Sequence, residues 1–261
     1  MIQIATKDGT KTFFSEEFQE NYHSLIGAQT ESLRKFILPS KILEKNEISL
    51  IDIGFGLGYN SLALIESARK KGVKVSIKAF ELYEKTVSSA VTIHNPENQN
   101  ILRSLLKTGT YQEDGIDVEI FWGDAREKIL KLPHAFADCV FLDPFSPPKN
   151  PELWTVEFFR KLSSKLNSKG KILTYSSSLA VIKALTKNGF FVGYTEPIGR
   201  KRGGLLASKK GDEILFPLSE TDLFLLNVSA HSIPNYDKNF WDKNQIQAYR
   251  EKLTDFSKKN Q

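Results

Sequence analysis

Four acidic residues lie beside apolar, β-branched stretches of the chain, where they are well placed for chemistry. Asp52 lies in LIDIG, Glu81 in IKAFEL, Asp124 in IFWGDARE and Asp143 in VFLDPF. If these stretches are strands of one parallel sheet, the four carboxylates lie at the carboxyl ends of the strands. Open α/β sheets bind their ligands there. The sequence therefore predicts one shared ligand site.

A glycine-rich loop follows Asp52, with Gly54, Gly56 and Gly58 in a G-x-G-x-G pattern. Glycine allows a tight turn and lets a ligand approach the backbone closely. The usual dinucleotide pattern is one residue longer and directs a helix N-terminus at a pyrophosphate. The shorter loop beside a carboxylate favours S-adenosylmethionine, with Asp52 attracting its ammonium group directly or through water. A structural turn or a nucleotide-binding loop is the alternative.

The next two acids suit the other end of the same ligand. In doubly wound folds, an acid at the position of Glu81 hydrogen-bonds the ribose hydroxyls. Asp124 would accept a hydrogen bond from the adenine amino group, and the backbone of Ala125 would meet the edge of the ring. Asp124 equally suits the N-cap of a short helix, so both roles are open for it.

The segment Asp143-Pro144-Phe145 is similar to the Asp/Asn-Pro-Pro-aromatic motif of methyltransferases that act on amino groups. Proline restricts the preceding residue to extended geometry, which would fix the aim of the Asp143 carboxylate. Asp143 would then hold an acceptor amine and serve as base or relay for its proton; a simple helix-entry loop is the alternative. Phe145 would stack on a base and Trp154 would contact the substrate; core packing is the alternative for both.

The positive charge of the chain is concentrated in one segment. The chain has 36 Lys and Arg against 31 Asp and Glu, a net charge of +5. Five cations and no acid lie between Gly199 and Lys210: Arg200, Lys201, Arg202, Lys209 and Lys210. Cations beside glycines suit contacts with a phosphate backbone, whereas a charged run is more usually a solvated loop. With a methyltransferase site nearby, we favour contact with nucleic acid.

Strands and helices that alternate from about residue 48 to residue 195 would position these residues. The predicted strands are Ser49–Ile53, Val75–Phe80, Val118–Phe121, Ala137–Leu142, Lys171–Tyr175, Phe190–Tyr194 and Leu205–Ser208. The predicted helices are Asn60–Lys71, Glu84–Asn95, Ala125–Leu130, Pro151–Leu166 and Ser178–Asn188. This pattern predicts an α/β fold with a doubly wound, mostly parallel, seven-stranded sheet. Together with the methyl-donor interpretation of the glycine loop, we expect it to resemble the Rossmann-like fold of class I methyltransferases.

The two ends of the chain are expected to be extensions of this core. Residues 1–45 would form a short β element (Thr12–Phe14) followed by a helix. Residues 46–210 would form the methyltransferase core. Residues 211–261 would form a polar, helical C-terminal extension. Neither end carries enough apolar residues for a core of its own, so we expect one domain.

Longer segments of the chain resemble one family. FLDPFSPPKNPELWTVEFFRKL, GFFVGYTEPIGRKRGGLLAS and YHSLIGAQTESLRKFI are similar to segments of the methyltransferase half of MnmC. The tail HSIPNYDKNFWDKNQIQAYREKL resembles the end of standalone (MnmD-type) members, with the departure that Asn235-Tyr236-Asp237 stands where Tyr-Arg-Asp is expected. The Lys-Asn-Pro-x-x-Trp and Gly-Arg-Lys-Arg segments are specific, whereas the glycine loop alone is not.

The resemblance implies a cytoplasmic, S-adenosylmethionine-dependent tRNA 5-(aminomethyl)-2-thiouridylate methyltransferase. It would convert the 5-aminomethyl group of (2-thio)uridine at the wobble position to 5-methylaminomethyl. Asp143 would be the acceptor-side acid, Lys149, Asn150 and Trp154 would shape the pocket, and residues 200–202 would border the substrate. The chain ends at Gln261, so we expect no flavin domain and a functional link to enzymes that make the aminomethyl precursor.

Composition narrows the alternatives. One cysteine excludes an intramolecular disulfide framework, and four scattered histidines suggest no metal site. No apolar run approaches the roughly 20 residues that a membrane helix needs. The rival functions are an N-methyltransferase or aminopropyltransferase acting on a small amine or a protein, a nicotinamide-dependent oxidoreductase, and a catalytically silent RNA-binding module. The roles of Gln29 and Glu31 are open, as helix capping or as ligand contact.

Overall fold

A nine-stranded sheet forms the centre of the protein in a computed structural model, which describes residues 2–198 and 202–259. Its strands are β4 Glu47–Ile53, β5 Lys74–Glu81, β6 Thr110–Glu113, β7 Ile116–Trp122, β8 Ala137–Leu142, β9 Leu166–Thr174, β10 Phe191–Tyr194, β11 Leu205–Ser208 and β12 Phe216–Pro217. Their order in the sheet is β12-β10-β11-β9-β8-β4-β5-β7-β6. The central strands β9, β8, β4, β5 and β7 are parallel, and the outer strands pair antiparallel.

The two strands β4 and β8 at the middle of the sheet are buried on both faces, as their continuous apolar runs predict. Within β4, Leu50 packs into the core on one side of the sheet, whereas Ile51 and Ile53 pack into the core on the other side. This alternation follows from the two-residue period of a strand. The sheet therefore separates two apolar layers, and its rigid strand ends can hold a site in place.

Helices cover both faces of the sheet. Their bounds are α3 Tyr59–Lys71, α4 Glu84–Ala90, α5 Pro96–Thr108, α6 Ala125–Lys128, α7 Val156–Lys165, α8 Leu179–Lys187, α9 Glu220–Val228 and α10 Lys243–Lys259. Short 3₁₀ turns cover Ile42–Glu44, Ile129–Lys131, Pro151–Trp154, Gly211–Glu213 and Ala230–Ser232.

The α/β fold and all seven predicted strands are confirmed, and the sheet is wider than predicted. The short strands β6 and β12 extend it at its two edges. The predicted helix from Pro151 to Leu166 is a 3₁₀ turn followed by α7, because the Thr155 side chain caps α7 at the Phe158 N–H. The sequence analysis missed α5, which Asn95 caps and Pro96 begins.

The N-terminal residues form a separate three-stranded sheet, made of β1 Ile2–Ala5, β2 Lys11–Ser15 and β3 Glu20–Asn21. A helical segment follows: α1 Ala28–Glu31, a π-helical stretch Ser32–Ile37, and α2 Leu38–Ser40. In the C-terminal region, Thr155 and Asn235 form an isolated parallel bridge, which ties the chain beside α10 to the core. Within residues 2–198 and 202–259, no helix has the length and apolar character to cross a membrane.

Candidate active site

A cavity of about 740 Å³ opens at the carboxyl ends of the central strands. The predicted site residues that line it are Gly54, Gly56, Glu81, Asp124, Ala125, Asp143, Phe145, Lys149 and Asn150. The predicted residues outside its lining are Asp52, Gly58, Trp154 and Arg202. Arg200 and Lys201 lie outside the described residues. The fold therefore brings the predicted donor side and acceptor side into one cavity.

The glycine loop passes close to the segment Asp143-Pro144-Phe145, called the acceptor loop below. Gly54 has φ +79°, and a Cβ atom there would lie 2.9 Å from the backbone nitrogen of Pro144. Both observations require glycine at this position. Gly58 has φ +83° and precedes the first residue of α3. Gly54 therefore allows the glycine loop and the acceptor loop to pack closely together, whereas Gly58 allows the turn that begins α3.

Glu81 is the last residue of β5 and lines the cavity. Its carboxylate accepts hydrogen bonds from the backbone N–H of Gly56 at 2.9 Å and of Tyr83 at 3.1 Å. Burial raises the pKa of Glu81, and the backbone donors oppose this shift. A carboxylate held in this way, with free lone pairs beside a cavity, can accept further hydrogen bonds from ligand hydroxyl groups.

Asp52 lies beneath the glycine loop. It is completely buried and accepts a hydrogen bond from the Ser61 hydroxyl at 2.6 Å, while its Oδ1 has no hydrogen-bond partner among the residues that the structure describes. Burial raises the pKa of Asp52 to about 7, and the charge of Glu81 adds to the shift. Asp52 is not among the residues that line the cavity, and its predicted contact with a ligand ammonium group, direct or through water, stays a prediction.

Asp143 follows the last residue of β8 and lines the cavity. One carboxylate oxygen accepts a hydrogen bond from the Asn60 amide at 2.8 Å, and the backbone N–H of Asp143 donates to Ile53 O at 2.9 Å. Burial raises the pKa of Asp143 well above its usual value, and the negative charges of Glu31 and Asp52 act in the same direction. A carboxyl group with a raised pKa is a better proton acceptor for an amine.

Asp124 caps a helix and also lines the cavity. Its carboxylate accepts from the Arg126 backbone N–H at 2.8 Å and pairs with the Arg126 guanidinium at 2.7 Å. Arg126 in turn reaches Asp237 at 2.9 Å and the carbonyl of Trp241 at 2.7 Å. The capping role of Asp124 is therefore confirmed, and its contact with adenine stays a prediction. The C-terminal segment is fastened to this side of the site.

Phe145 and Trp154 have different surroundings. The Phe145 ring lines the cavity, stacks on Phe18 at 4.2 Å between centroids and meets Tyr22 edge-on at 4.9 Å. Trp154 is 1% exposed, and its indole N–H donates to Phe145 O at 2.8 Å. Trp154 therefore supports the acceptor loop from beneath, whereas Phe145 presents an aromatic face at the cavity.

The N-terminal segment supplies lining residues that the sequence analysis did not identify. Glu20 accepts a hydrogen bond from the Ser146 N–H at 3.0 Å, and the hydroxyl of Tyr83 donates to Glu17 at 2.8 Å. These contacts hold the segment over both halves of the cavity. Partners more than 60 positions apart leave no local pattern, so only the position of Glu31 in a matched segment offered a signal.

The structure separates two residues whose roles were open. Glu31 is buried, lines the cavity and is ion-paired with Lys35. Gln29 is on the outside of the protein, where its amide contacts Glu66 at 3.3 Å. Glu31 is therefore placed for ligand contact, and Gln29 is not.

Two cations in the described part of the basic segment contact other parts of the protein. Arg202 pairs with Asp222 at 3.1 Å and contacts the Tyr194 hydroxyl at 3.3 Å. Lys209 donates to Ser163 O and Leu166 O, both at 2.9 Å, at the C-terminal end of α7. Lys209 thus stabilises a helix end. Of the other described cations in the segment, Arg202 is half-exposed and Lys210 is exposed.

The chemistry of the cavity fits S-adenosylmethionine. Glu81 offers a carboxylate for ribose hydroxyls, Ala125 a backbone edge, and Gly54 a close approach to the backbone. An aromatic face and a second carboxylate, Phe145 and Asp143, lie in the same cavity for the methyl acceptor.

Comparisons with known proteins agree with this site. Residues 90–210 match a family described as S-adenosyl-L-methionine-dependent methyltransferases. Bifunctional MnmC of Paraburkholderia xenovorans is 30% identical over 75% of this chain, and an uncharacterized protein of Methanocaldococcus jannaschii is 29% identical over 91% of this chain. The chain spans 67% of that archaeal protein but only about a third, 33%, of the MnmC protein.

Similarity to solved structures identifies the family within this fold. Spermidine synthase from Thermotoga maritima is 14% identical and has a TM-score of 0.52 over 99% of this chain and 86% of its own, which shows the fold alone. MnmC2 from Aquifex aeolicus is 35% identical and has a TM-score of 0.83, over 97% of this chain and 84% of its own. The chain therefore belongs to the MnmC2 family of S-adenosyl-L-methionine-dependent methyltransferases, related to the methyltransferase part of bifunctional MnmC.

Proposed function

We propose that this protein methylates the 5-aminomethyl group of (2-thio)uridine at the wobble position of tRNA, giving 5-methylaminomethyl-(2-thio)uridine. This is the tRNA 5-(aminomethyl)-2-thiouridylate methyltransferase reaction. The observation that carries the proposal is the Asp143 carboxylate, which lines the same cavity as the glycine loop and Glu81. The proposed substrate is taken from the related MnmC proteins, which are named for 5-methylaminomethyl-2-thiouridine biosynthesis on tRNA.

The proposed reaction needs an amine with a free lone pair. The aminomethyl group arrives as an ammonium ion, which the Asp143 carboxylate binds and deprotonates. Asn60 holds the carboxylate in position, and burial raises its affinity for the proton. S-adenosylmethionine supplies the electrophilic methyl group.

The acceptor loop would recognise the uridine. Phe145 offers a ring on which the base stacks, in a position fixed by Phe18 and Tyr22. Lys149 and Asn150 line the same side of the cavity and would contact the nucleotide. Trp154 acts indirectly, through its hydrogen bond to Phe145.

The basic segment would contact tRNA phosphates, through Arg200, Lys201, Arg202 and Lys210. Arg202 and Lys210 are the described members with exposed side chains. Replacing Arg202 with alanine is expected to weaken tRNA binding and to reduce the slope of log K against log salt by about one. An unchanged slope would assign Arg202 to its contacts with Asp222 and Tyr194 alone.

The proposal extends to organisation and cellular role. Residues 1–45 would cover the site, residues 46–210 would bind the donor and acceptor, and residues 211–261 would brace the core through Asp237 and Arg126. The aminomethyl group must come from an enzyme that makes it on tRNA, which links this protein functionally to that enzyme. Both would act in the cytoplasm.

The test is transfer of labelled methyl groups to tRNA that carries 5-aminomethyluridine, followed by nucleoside mass spectrometry. We expect a gain of one methyl group at the wobble uridine, and none in matched tRNA that lacks the aminomethyl group. Methylation of a small primary amine without methylation of tRNA would overturn the proposal in favour of a small-amine methyltransferase.

A further inference from the structure

A buried ion pair in the cavity wall has no role in the chemistry described so far. Glu31 ends α1, and Lys35 lies in the π-helical stretch that follows it. Their side chains are 10% and 8% exposed, the Lys35 ammonium group is ion-paired with Glu31 Oε1, and both residues line the cavity. The second oxygen of Glu31 accepts a hydrogen bond from the Ser24 N–H at 2.9 Å.

The pair has unused hydrogen-bonding capacity. A lysine ammonium group has three N–H donors, and within the described residues the Lys35 group has one hydrogen-bond partner, Glu31. Each carboxylate oxygen of Glu31 can also accept more than one hydrogen bond. Buried ion pairs are weak sources of stability because the loss of hydration opposes their attraction. A buried pair at a cavity wall is therefore better explained by what it binds.

The position of the pair indicates which part of the donor it meets. The π-helical stretch packs against α3 and β9, on the side of β4 where β8 and β9 lie. Glu81 and Asp124, which suit the ribose and the adenine, follow β5 and β7 on the other side of β4. A donor that spans the cavity from its adenine end therefore places its opposite end, the α-amino acid, toward Glu31 and Lys35.

The residue predicted to attract the α-ammonium group does not itself border the cavity. Asp52 is fully buried, bonded to Ser61 and absent from the cavity lining. An α-amino acid carries one ammonium group and one carboxylate, so its complement is one acid beside one base. We propose that Glu31 and Lys35 form the subsite for the α-amino acid end of S-adenosylmethionine, with Glu31 accepting from the α-ammonium group and Lys35 donating to the α-carboxylate. This assignment rests on the methyl donor of the proposed function, and not on its tRNA substrate.

Ligands that differ only at the amino acid end test the subsite by calorimetry. The probes are S-adenosylhomocysteine, its decarboxylated analogue S-adenosyl-3-thiopropylamine, and 5′-methylthioadenosine, which lacks both charged groups. We expect the native protein to bind S-adenosylhomocysteine at least tenfold more tightly than either of the other two. Equal affinity for S-adenosylhomocysteine and the decarboxylated analogue would overturn the role of Lys35 without any variant having to fold. No binding of any of the three would instead refute the donor assignment itself.

Variants then test whether Glu31 and Lys35 are the residues that distinguish ligands with and without the amino acid end. Lys35→Met, and the double variant Glu31→Gln with Lys35→Met, are expected to lower the affinity for S-adenosylhomocysteine at least tenfold while the affinity for 5′-methylthioadenosine is retained. The double variant leaves no unpaired buried charge. Lys45→Met is the matched control, because Lys45 is ion-paired with Asp138 outside the cavity. An equal loss for both ligands, or a loss confined to the KM for tRNA, would overturn the proposal.

Discussion

Asp52 and Asp143 end neighbouring parallel strands, yet only one of them reaches the cavity. In the register of the sheet, Asp52 pairs with Phe141 and Ile53 pairs with Leu142, so Asp143 is level with Gly54. On the other side, Asp52 pairs with Ala79 and Ile53 pairs with Phe80, so Glu81 is also level with Gly54. The two acids at this level line the cavity, and Asp52, two residues deeper, does not.

The difference shows that depth along the strand decides the role of an acid in this site. The consecutive residues Asn60 and Ser61 of α3 hold the two aspartates, Asn60 at Asp143 and Ser61 at Asp52. Burial raises the pKa of both aspartates. One carboxylate nonetheless borders the ligand space, and the other is enclosed below the glycine loop.

The largest expected effect is at Asp143. Asp143→Asn retains the shape of the side chain and removes the proton acceptor, so kcat for methyl transfer to tRNA should fall ~100-fold or more. The measurement is single-turnover transfer with labelled donor. The affinity for S-adenosylhomocysteine should be retained, and an unchanged kcat would exclude Asp143 from catalysis.

The second effect is at Glu81, which is level with Asp143 but on the donor side. Glu81→Gln removes the charge that hydrogen bonds from ribose hydroxyls would meet, at a cost of about 1.5 kcal/mol, or roughly tenfold in affinity. Calorimetry should show equal losses for S-adenosylhomocysteine and 5′-methylthioadenosine, since both carry the ribose. A loss for only one of them would contradict the ribose assignment.

The third test compares the two consecutive holding residues. Asn60→Ala removes a hydrogen bond that aims Asp143, and we expect a fall in kcat of about fivefold from the loss of roughly 1 kcal/mol of positioning. Ser61→Ala removes the corresponding bond at Asp52 and should leave kcat unchanged. Equal effects on kcat would mean that the depth of the aspartate does not matter.

The smallest effect on donor binding is expected at Asp52. The pKa of this group is near 3.8 in the unfolded chain and about 7 in the folded protein. Between these values the folded state holds a proton that the unfolded state releases, so Asp52 makes the protein less stable as the pH rises toward 7. Each unit of pKa shift corresponds to about 1.4 kcal/mol.

Asp52→Asn removes this titration. Urea unfolding at pH 5 and at pH 8 should show a smaller loss of stability in the variant than in the native protein, with unchanged affinity for S-adenosylhomocysteine. Weaker binding by the variant would place Asp52 in the donor site after all. An unchanged difference between the two pH values would assign the pH dependence to other groups.

Much of the fold could be read from the sequence because its signals are local. The apolar runs in LIDIG and DCVFLD predict buried parallel strands, and the Gly54 loop and the proline after Asp143 mark the turns that end two of them. The helix α5 was missed although Asn95 and Pro96 are ordinary start signals. The edge strand β6, Thr-Tyr-Gln-Glu, is mostly polar and exposed, and β12 has only two residues, so neither carries an apolar pattern.

The sequence by itself determined which acids lie at the end of which strand. It also contained the glycine loop and the acceptor motif that indicate a methyl donor and an amine acceptor. Tertiary structure decided which side chains reach the cavity: Glu81, two positions beyond the residue that pairs with Asp52, lines it, whereas Asp52 is enclosed. It also decided that Glu31, Lys35 and Glu20 join the site, since these contacts connect segments far apart in the chain. Local patterns fix strands and turns, whereas depth and long-range closure depend on how the whole chain packs.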